Sequence, residues 1–200
     1  GHVSYRAAPY ANRVVACDVT PAMLEAVART ATARGLGNIE TRLCAAEALP
    51  FEDGLFDAVL CRFTAHHWAD VPAGLRAARR VSKKGAFGVF IDTVAPAKPV
   101  LDSHLQTMEL LRDPSHGRNY SVAEWGAMLA QAGFGLRGVT MRRLRMEFAS
   151  WVARTATPPA IQEAIRIVQK TAPAEVKEYF AIAEDGSFDL EVAIMVVEMV

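Results

Sequence analysis

The sequence has 200 residues, of which 52% are apolar and 22% are charged, and this composition is typical of a folded globular domain rather than a disordered chain. Lys and Arg together number 22, as do Asp and Glu, so the formal net charge is zero. The sequence therefore lacks the basic surplus that is typical of nucleic-acid-binding proteins.

The first half of the chain alternates short apolar runs with longer amphipathic segments. The residues after Gly1 have a helical pattern, and the apolar run 13–18 predicts a strand that is buried on both faces. Thr20 and Pro21 form an N-cap followed by a first-turn proline, and the helix that they begin ends at Gly35 and Gly37. The next predicted elements are strands at 38–45, 57–63 and 86–92, a helix at 73–81 and a turn at 83–85. This order predicts right-handed crossovers and a parallel sheet.

The second half of the chain has a different pattern. Ser121 and Glu124 have the spacing of a capping box, and the helix that they begin ends at Gly133. The other predicted elements are helices at 101–111, 161–169 and 174–179 and strands at 135–148 and 188–199. Because no tight crossover helix separates these two strands, we expect them to pair antiparallel at a sheet edge. The predicted α/β fold is a single domain with a core at 1–95, a helical cap and helix at 96–134, and C-terminal strands and helices at 135–200 that complete the same sheet.

The start of the chain is unusual for this class, because an α/β sheet does not normally begin with its first helix. We therefore expect a strand and a Gly-rich turn before this helix, with Gly1 as the last glycine of that turn. Asp18 follows 17 positions later at the tip of the next strand, where dinucleotide-type folds place an acid that binds a ribose. The alternative is a helix-capping glycine and an exposed acid at a strand end.

Three motifs then follow one another: D-x-T-x-x-M-L at 18–24, A-E-x-L-P-F at 46–51 and F-D-x-V at 56–59. In these motifs the chain resembles the class I S-adenosylmethionine-dependent methyltransferases, and it is similar to the small-molecule enzymes of the ubiquinone and menaquinone synthesis type. The resemblance is specific over residues 1–95 and weaker beyond them. It implies a Rossmann-like, mostly parallel seven-stranded sheet with an antiparallel C-terminal hairpin, of which this chain lacks the first strand. It also implies S-adenosylmethionine as cofactor, S-adenosylhomocysteine as product, and no metal.

The resemblance also implies roles for individual residues in cofactor binding. Asp18 matches the acid that accepts the ribose hydroxyls, and Val19 and Met23 match positions that pack on the adenine. Ordinary core packing is the alternative for Met23. Gly1 belongs to the turn at the methionine end of the cofactor, and the backbone carbonyls at the tip of the third strand face the cofactor's ammonium, from Cys61, Arg62 and Phe63.

The sequence departs from the family pattern at Ala45, where similar proteins carry an acid that accepts a hydrogen bond from the adenine amino group. We expect the backbone N–H of Ala46 to bind the ring, and Glu47 is a candidate substitute for the acid. One lost hydrogen bond weakens affinity by about 0.5–1.5 kcal/mol, which is roughly tenfold at most.

Histidines provide the candidate catalytic groups. His66 and His67 follow the third strand, and His116 lies in a polar loop, so either His67 or His116 is expected to accept a proton from the acceptor. A pocket wall or a helix cap is the alternative for the adjacent pair. Because neighbours in an extended segment point apart, we do not expect both to bind one metal. Asp92 ends the fourth strand, where it faces either the substrate or solvent.

Other features of the sequence indicate the cellular environment of the protein. The longest apolar run, 192–197, is far shorter than the roughly 20 residues of a membrane span. Three cysteines without C-x-x-C spacing do not indicate a disulfide framework or a zinc site, and we expect them to be buried in a protein of the reducing cytoplasm. Arg142, Arg143 and Arg145 are expected on the solvated face of an edge strand.

The predicted function is methyl transfer to an O, N or C nucleophile of a small molecule by in-line displacement. The expected partner is this acceptor rather than a nucleic acid or a membrane, and a monomer and a homodimer both remain open. The sequence leaves two alternative functions open: a non-catalytic methyltransferase-like binding module, and a nicotinamide-dependent oxidoreductase with a similar strand–helix order.

Overall fold

The computed structural model describes residues 1–200 and contains six strands and eight α-helices. The strands are β1 (Val14–Asp18), β2 (Ile39–Leu43), β3 (Phe56–Arg62), β4 (Ser82–Thr93), β5 (Phe134–Met146) and β6 (Phe188–Met199). The helices are α1 (His2–Ala7), α2 (Pro21–Ala33), α3 (Val71–Val81), α4 (Pro99–Arg112), α5 (Val122–Gln131), α6 (Phe148–Ala153), α7 (Pro159–Thr171) and α8 (Ala174–Tyr179). No helix has both the length and the apolar character that crossing a bilayer requires.

The strands form a Rossmann-like α/β architecture in two sheets. β1 and β2 pair in parallel, and the second sheet has the order β3-β4-β6-β5. β3 and β4 pair in parallel, whereas β6 is antiparallel to both β4 and β5. Three of the four strands in the larger sheet therefore run in one direction, and the antiparallel C-terminal hairpin is confirmed. Six of the seven expected strands are present, and β1 and β3 do not pair with each other.

Two apolar clusters stabilise the fold. The first, which we call the sheet core, joins α3 and α5 to β3, β4 and β6 and includes Leu75, Phe90, Trp125, Leu129 and Met195. The second, which we call the cap core, joins α4, α6, α7 and α8 to the ends of β5 and β6 and includes Leu105, Trp151, Ile165, Phe180 and Phe188. The predicted middle segment 96–134 is therefore divided, because α4 packs in the cap core and α5 packs in the sheet core.

Two predicted boundaries are wrong. The segment 83–85 was expected to be a turn, but it lies inside β4, where Gly85 has a φ of +75° and the pairing with β3 shifts register. A glycine with positive φ inside a strand accommodates such a bulge without interrupting the strand. The predicted strand 135–148 ends at Met146, and Phe148 begins α6 because its ring packs in the cap core.

The surface predictions had mixed outcomes. β5 is an edge strand, and Arg142, Arg143 and Arg145 are exposed on it, as expected. The expectation that every cysteine is buried holds for Cys61 but is wrong for Cys17, which is exposed, and for Cys44, which is half-buried. Both lie in or beside the two-stranded sheet, in which Ala16 is the single buried residue.

Candidate active site

A cleft of about 520 Å³ lies between β1 and β3. It is lined by the start of α1, by β1 from Val15 to Asp18, by β3 from Phe56 to Arg62, and by the segment that follows β2. The cleft thus runs along the whole gap between these two unpaired strands, and Asp18, Ala46 and Arg62 lie at its carboxyl-terminal end. In open α/β sheets, ligands bind in such a crevice outside the carboxyl ends of the strands.

Asp18 is the acid at the β1 end of the cleft. One carboxylate oxygen accepts a hydrogen bond from the backbone N–H of Thr20 at 2.9 Å, which fixes the side chain, and the other oxygen makes no hydrogen bond. Gly1 lines the same cleft, and a Cβ atom added there would lie 2.4 Å from the Tyr5 hydroxyl oxygen. The backbone of Gly1 thus packs closely against Tyr5, and Asp18 has an oriented carboxylate oxygen available to accept from hydroxyl groups.

The segment after β2 forms another wall of the cleft. Ala45, Ala46 and Glu47 all line it, and the backbone N–H of Ala46 donates to no other group. One carboxylate oxygen of Glu47 accepts from the backbone N–H of Asp70 at 3.1 Å, so Glu47 connects this segment to the start of α3. The wall thus offers a free backbone donor, and the Glu47 carboxylate is partly engaged elsewhere.

The tip of β3 forms the opposite wall. Cys61 and Arg62 line the cleft, and burial raises the pKa of the Cys61 thiol, which therefore stays protonated. Phe63 lies outside the cleft, has a φ of +50° and donates its N–H to the Ile91 carbonyl at 2.9 Å. Backbone in this sparsely populated region is concentrated at functional sites. Of the two expected adenine contacts, Val19 lines the cleft, whereas Met23 is half-exposed outside it.

His66 and His67 lie together in a 3-10 turn over Ala65–His67 that follows β3. Their ring centroids are 4.3 Å apart, so the prediction that the two side chains point apart is wrong, because a tight helical turn replaces the expected extended segment. His67 lines the cleft, and its Nδ1 is 3.1 Å from the Ser115 carbonyl oxygen. Burial and the neighbouring His66 lower the pKa of His67.

His116 does not line the cleft. It is buried, and its Nε2 is 3.0 Å from the Gln106 side-chain oxygen. Burial, together with the neighbouring His66 and His67, lowers the pKa of His116 to about 4, so the ring is neutral at pH 7. The loop that carries it is fixed to the histidine turn, since Gly117 donates its N–H to the His66 carbonyl at 2.8 Å. This geometry favours a structural role for His116 over proton transfer.

His66 pairs with Asp92, and sequence reasoning did not connect these two residues. The His66 Nδ1 is 2.6 Å from one oxygen of Asp92, whose side chain is 2% exposed, so the expectation that Asp92 faces solvent or substrate is wrong. Burial by itself lowers the pKa of His66, but the hydrogen bond and charge of Asp92 outweigh it and the pKa is raised. The signal was present, because β3 and β4 are parallel neighbours, His66 follows the end of β3 and Asp92 is the penultimate residue of β4. No group of three or more His, Cys, Asp or Glu side chains is placed to share a metal ion.

Comparison with known proteins agrees with this geometry. Residues 1–90 match a family model described as a methyltransferase domain. The Escherichia coli (strain K12) protein YafE is 45% identical over 192 residues, which cover 96% of this chain and 93% of YafE. The uncharacterized methyltransferase YcgJ of Bacillus subtilis is 33% identical over 91% of this chain and 72% of its own length. The crystal structure of YcgJ has a TM-score of 0.94 and 31% identity, covering 100% of this chain and 87% of that one.

A shorter match involves an enzyme whose name gives its reaction. The ubiquinone/menaquinone biosynthesis C-methyltransferase UbiE of Zymomonas mobilis is 36% identical over 85 residues, which cover 42% of this chain and 35% of that enzyme.

Proposed function

The chain belongs to the class I S-adenosylmethionine-dependent methyltransferases, and from this premise we propose that it transfers the methyl group to an O, N or C nucleophile of a small molecule. The observation that supports the proposal most is the unpaired carboxylate oxygen of Asp18 at the carboxyl-terminal end of the cleft. When bound, the cofactor supplies a methyl group on a positively charged sulfur, and the protein has to position it, exclude water and handle a proton.

The proposed cofactor contacts follow the walls of the cleft. Asp18 accepts from the ribose hydroxyls, Val19 packs on the adenine, and the Ala46 N–H donates to the ring. The methionine end lies toward Gly1, Cys61 and Arg62, which also line the cleft. Met23 and Phe63 contribute from outside the cleft, by packing and by holding the β3 tip.

His67 is the proposed contact of the chain with the acceptor, because it lines the cleft beyond β3. His116 holds the loop above it. The proposed reaction needs no metal, and the proposed partner is a small molecule rather than a nucleic acid or a membrane. Two other functions are the alternatives, and each is distinguished by one measurement. Titration with NAD tests a nicotinamide-dependent oxidoreductase, and a turnover assay tests a non-catalytic binding module.

Isothermal titration with S-adenosylmethionine, S-adenosylhomocysteine and NAD tests the proposal. We expect binding of the first two and none of NAD. Asp18→Ala should weaken binding of S-adenosylhomocysteine by about 1–3 kcal/mol, because it removes a charged hydrogen-bond acceptor. Asp57→Ala is the matched control, since Asp57 is an exposed strand acid that pairs with Lys83. Equal affinity in the two variants contradicts the assignment of Asp18, and binding of NAD alone contradicts the function. Binding without turnover on any acceptor favours the non-catalytic module.

A further inference from the structure

A second cavity, of about 500 Å³, lies on the larger sheet beside α1, and we call it the β3–β4 groove. Leu60, Cys61 and Arg62 line both the groove and the proposed cofactor cleft, so the two cavities are neighbours. The groove also has side chains that the cleft does not share, and no acidic side chain lines it. Its apolar strand residues include Leu60, Val89 and Ile91, and its basic residues are His2, Arg6 and Arg62.

The apolar side chains of the groove belong to an uncovered face of the larger sheet. The register places Leu60 beside Val89, and Val89 in turn beside Val196 of β6, so three neighbouring strands present apolar side chains together. The alternate residues point to the other face, where α3 and α5 pack in the sheet core. Leu60 is 39% exposed, Val196 is 40% exposed, and Phe87, on the same face of β4 as Val89, is 52% exposed. A contiguous exposed apolar surface is typical of a binding site.

The two arginines of the groove have no acidic partner within the chain. Arg6 and Arg62 form neither an ion pair nor a side-chain hydrogen bond, and the Arg62 guanidinium lies 4.3 Å from the ring centroid of Phe63. Other arginines are paired, as Arg80 is with Asp53 at 2.7 Å. The groove therefore combines an apolar surface with unneutralised positive charge, and a guanidinium group is suited to bind a carboxylate through two hydrogen bonds.

We propose that the β3–β4 groove binds a small amphipathic acid, an alkyl or aryl carboxylate. The carboxylate accepts hydrogen bonds from Arg6 and Arg62, and the apolar part of the ligand packs on the exposed side chains of β3 and β4. The positive charge of the groove repels an amphipathic cation. An uncharged apolar ligand would cover the guanidinium groups without pairing them, which is unfavourable. This site is additional to the cofactor cleft, and it does not depend on methyl transfer.

Isothermal titration of the full chain with sodium octanoate tests the chemistry of the ligand. We expect saturable binding that tightens about twofold for each CH₂ group from hexanoate to octanoate, because the tail is buried on one side only. 1-Octanol has the same tail without the charge, and it should bind at least about fivefold more weakly. Equal affinity for octanoate and octanol, or no saturable binding of octanoate at millimolar concentration, would overturn the proposal.

A matched pair of arginine variants tests the place of binding. Arg6→Gln should raise the Kd for octanoate about fivefold to tenfold, since it removes one charged donor. Arg76→Gln is the control and should leave the Kd unchanged, because Arg76 is an exposed arginine of α3, which covers the opposite face of the sheet. Equal affinity in the two variants overturns the proposal. If Arg6→Gln also loses S-adenosylhomocysteine, Arg6→Lys replaces it: octanoate binding that Arg6→Lys retains supports the site, and binding that it loses overturns it.

Methyl NMR of the full chain locates the ligand independently of these variants. Octanoate should shift the methyl signals of Val89 and Ile91, whereas those of Leu129, which is buried in the sheet core, should not move. Unshifted signals of Val89 and Ile91 overturn the proposal. Sedimentation with phosphatidylglycerol vesicles without binding of free octanoate also overturns it, in favour of a membrane surface. Binding of octanoate without binding of S-adenosylhomocysteine supports the groove and contradicts only the proposed function.

Discussion

Ala45 and Glu47 illustrate how single side chains define the adenine wall of the cleft. The methyl group of Ala45 provides no hydrogen-bond acceptor, and the Glu47 carboxylate is engaged by the backbone of Asp70. The polar groups that this wall offers to a purine ring are the free N–H of Ala46 and the second oxygen of Glu47. The backbone donor recognises a ring nitrogen, whereas the side chain at position 45 accepts nothing from the exocyclic amino group of adenine.

Ala45→Asp should therefore tighten the binding of S-adenosylhomocysteine. One added hydrogen bond to a charged acceptor contributes about 1.5 kcal/mol, or roughly tenfold in Kd. Titration calorimetry measures it, and Ala48→Asp is the control because Ala48 belongs to the same 3-10 turn but does not line the cleft. An unchanged Kd for Ala45→Asp would show that another group already binds the amino group.

His116 connects a single buried residue to the pH dependence of stability. The pKa of His116 is about 4 in the folded chain, below the ordinary value of 6.5, so the unfolded chain binds more protons between these two values. The free energy of unfolding should therefore fall as the pH is lowered from 6.5 toward 4. Urea unfolding at pH 7 and pH 5 measures how much the free energy of unfolding decreases between these two values. This decrease should be about 1–2 kcal/mol smaller in His116→Gln than in the parent protein. If the two proteins lose the same amount, His116 is not held neutral by burial.

At the scale of secondary structure, α3 depends on a glycine that faces the cleft wall. A Cβ at Gly74 would lie 2.5 Å from the ring of Trp68, which lines the cleft, whereas a Cβ at Gly126 in α5 would contact nothing within 4 Å. Both glycines are inside helices, where alanine is intrinsically preferred by about 0.5–1 kcal/mol. The two positions therefore separate helix propensity from packing.

Gly126→Ala should stabilise the protein by about 0.5–1 kcal/mol. Gly74→Ala should destabilise it by a net amount of about 1–2 kcal/mol, because overpacking costs about 1–3 kcal/mol and exceeds the gain in propensity. Chemical denaturation measures both values, and the displaced Trp68 ring should also weaken S-adenosylhomocysteine binding in Gly74→Ala alone. Equal stabilisation by both substitutions would contradict the contact with Trp68.

Local sequence signals predicted most of these elements because the signals act within one turn or one strand. The capping box of Ser121 and Glu124 forms as expected, with hydrogen bonds of 3.2 and 2.7 Å between each backbone N–H and the other side chain. The failures involve tertiary contacts. Lys83 is in a strand because the pairing of β4 with β3 at Ser82 and again from Phe87 outweighs the local turn tendency around Gly85. His66 turns toward Asp92, which lies 26 residues away in the sequence.

At the scale of the whole molecule, α4 connects the cap core to buried charges near the histidine turn. The Arg112 guanidinium lies 4.9 Å from the ring centroid of Trp151 in the cap core, and one of its nitrogens is 3.6 Å from a Glu109 oxygen. The cap helices therefore cover the buried charges that neighbour the cleft, and the sheet core carries Cys61 at the tip of β3. The proposed cofactor-binding strand tip therefore packs in the sheet core, whereas the helices that cover the buried charges pack in the cap core. Because the two cores are separate, we expect the cap helices to unfold locally while the sheet remains folded.

Two core substitutions test that independence. Ile165 in α7 and Leu129 in α5 are both fully buried, and truncation of either to alanine should cost about 2–5 kcal/mol. Amide hydrogen exchange should accelerate mainly in α4, α6, α7 and α8 in Ile165→Ala, because the cap core loses a contact that the sheet does not use. In Leu129→Ala the acceleration should extend to β3, β4 and β6 as well, since these strands share the sheet core. Identical exchange patterns in the two variants would mean that cap and sheet unfold as a single unit.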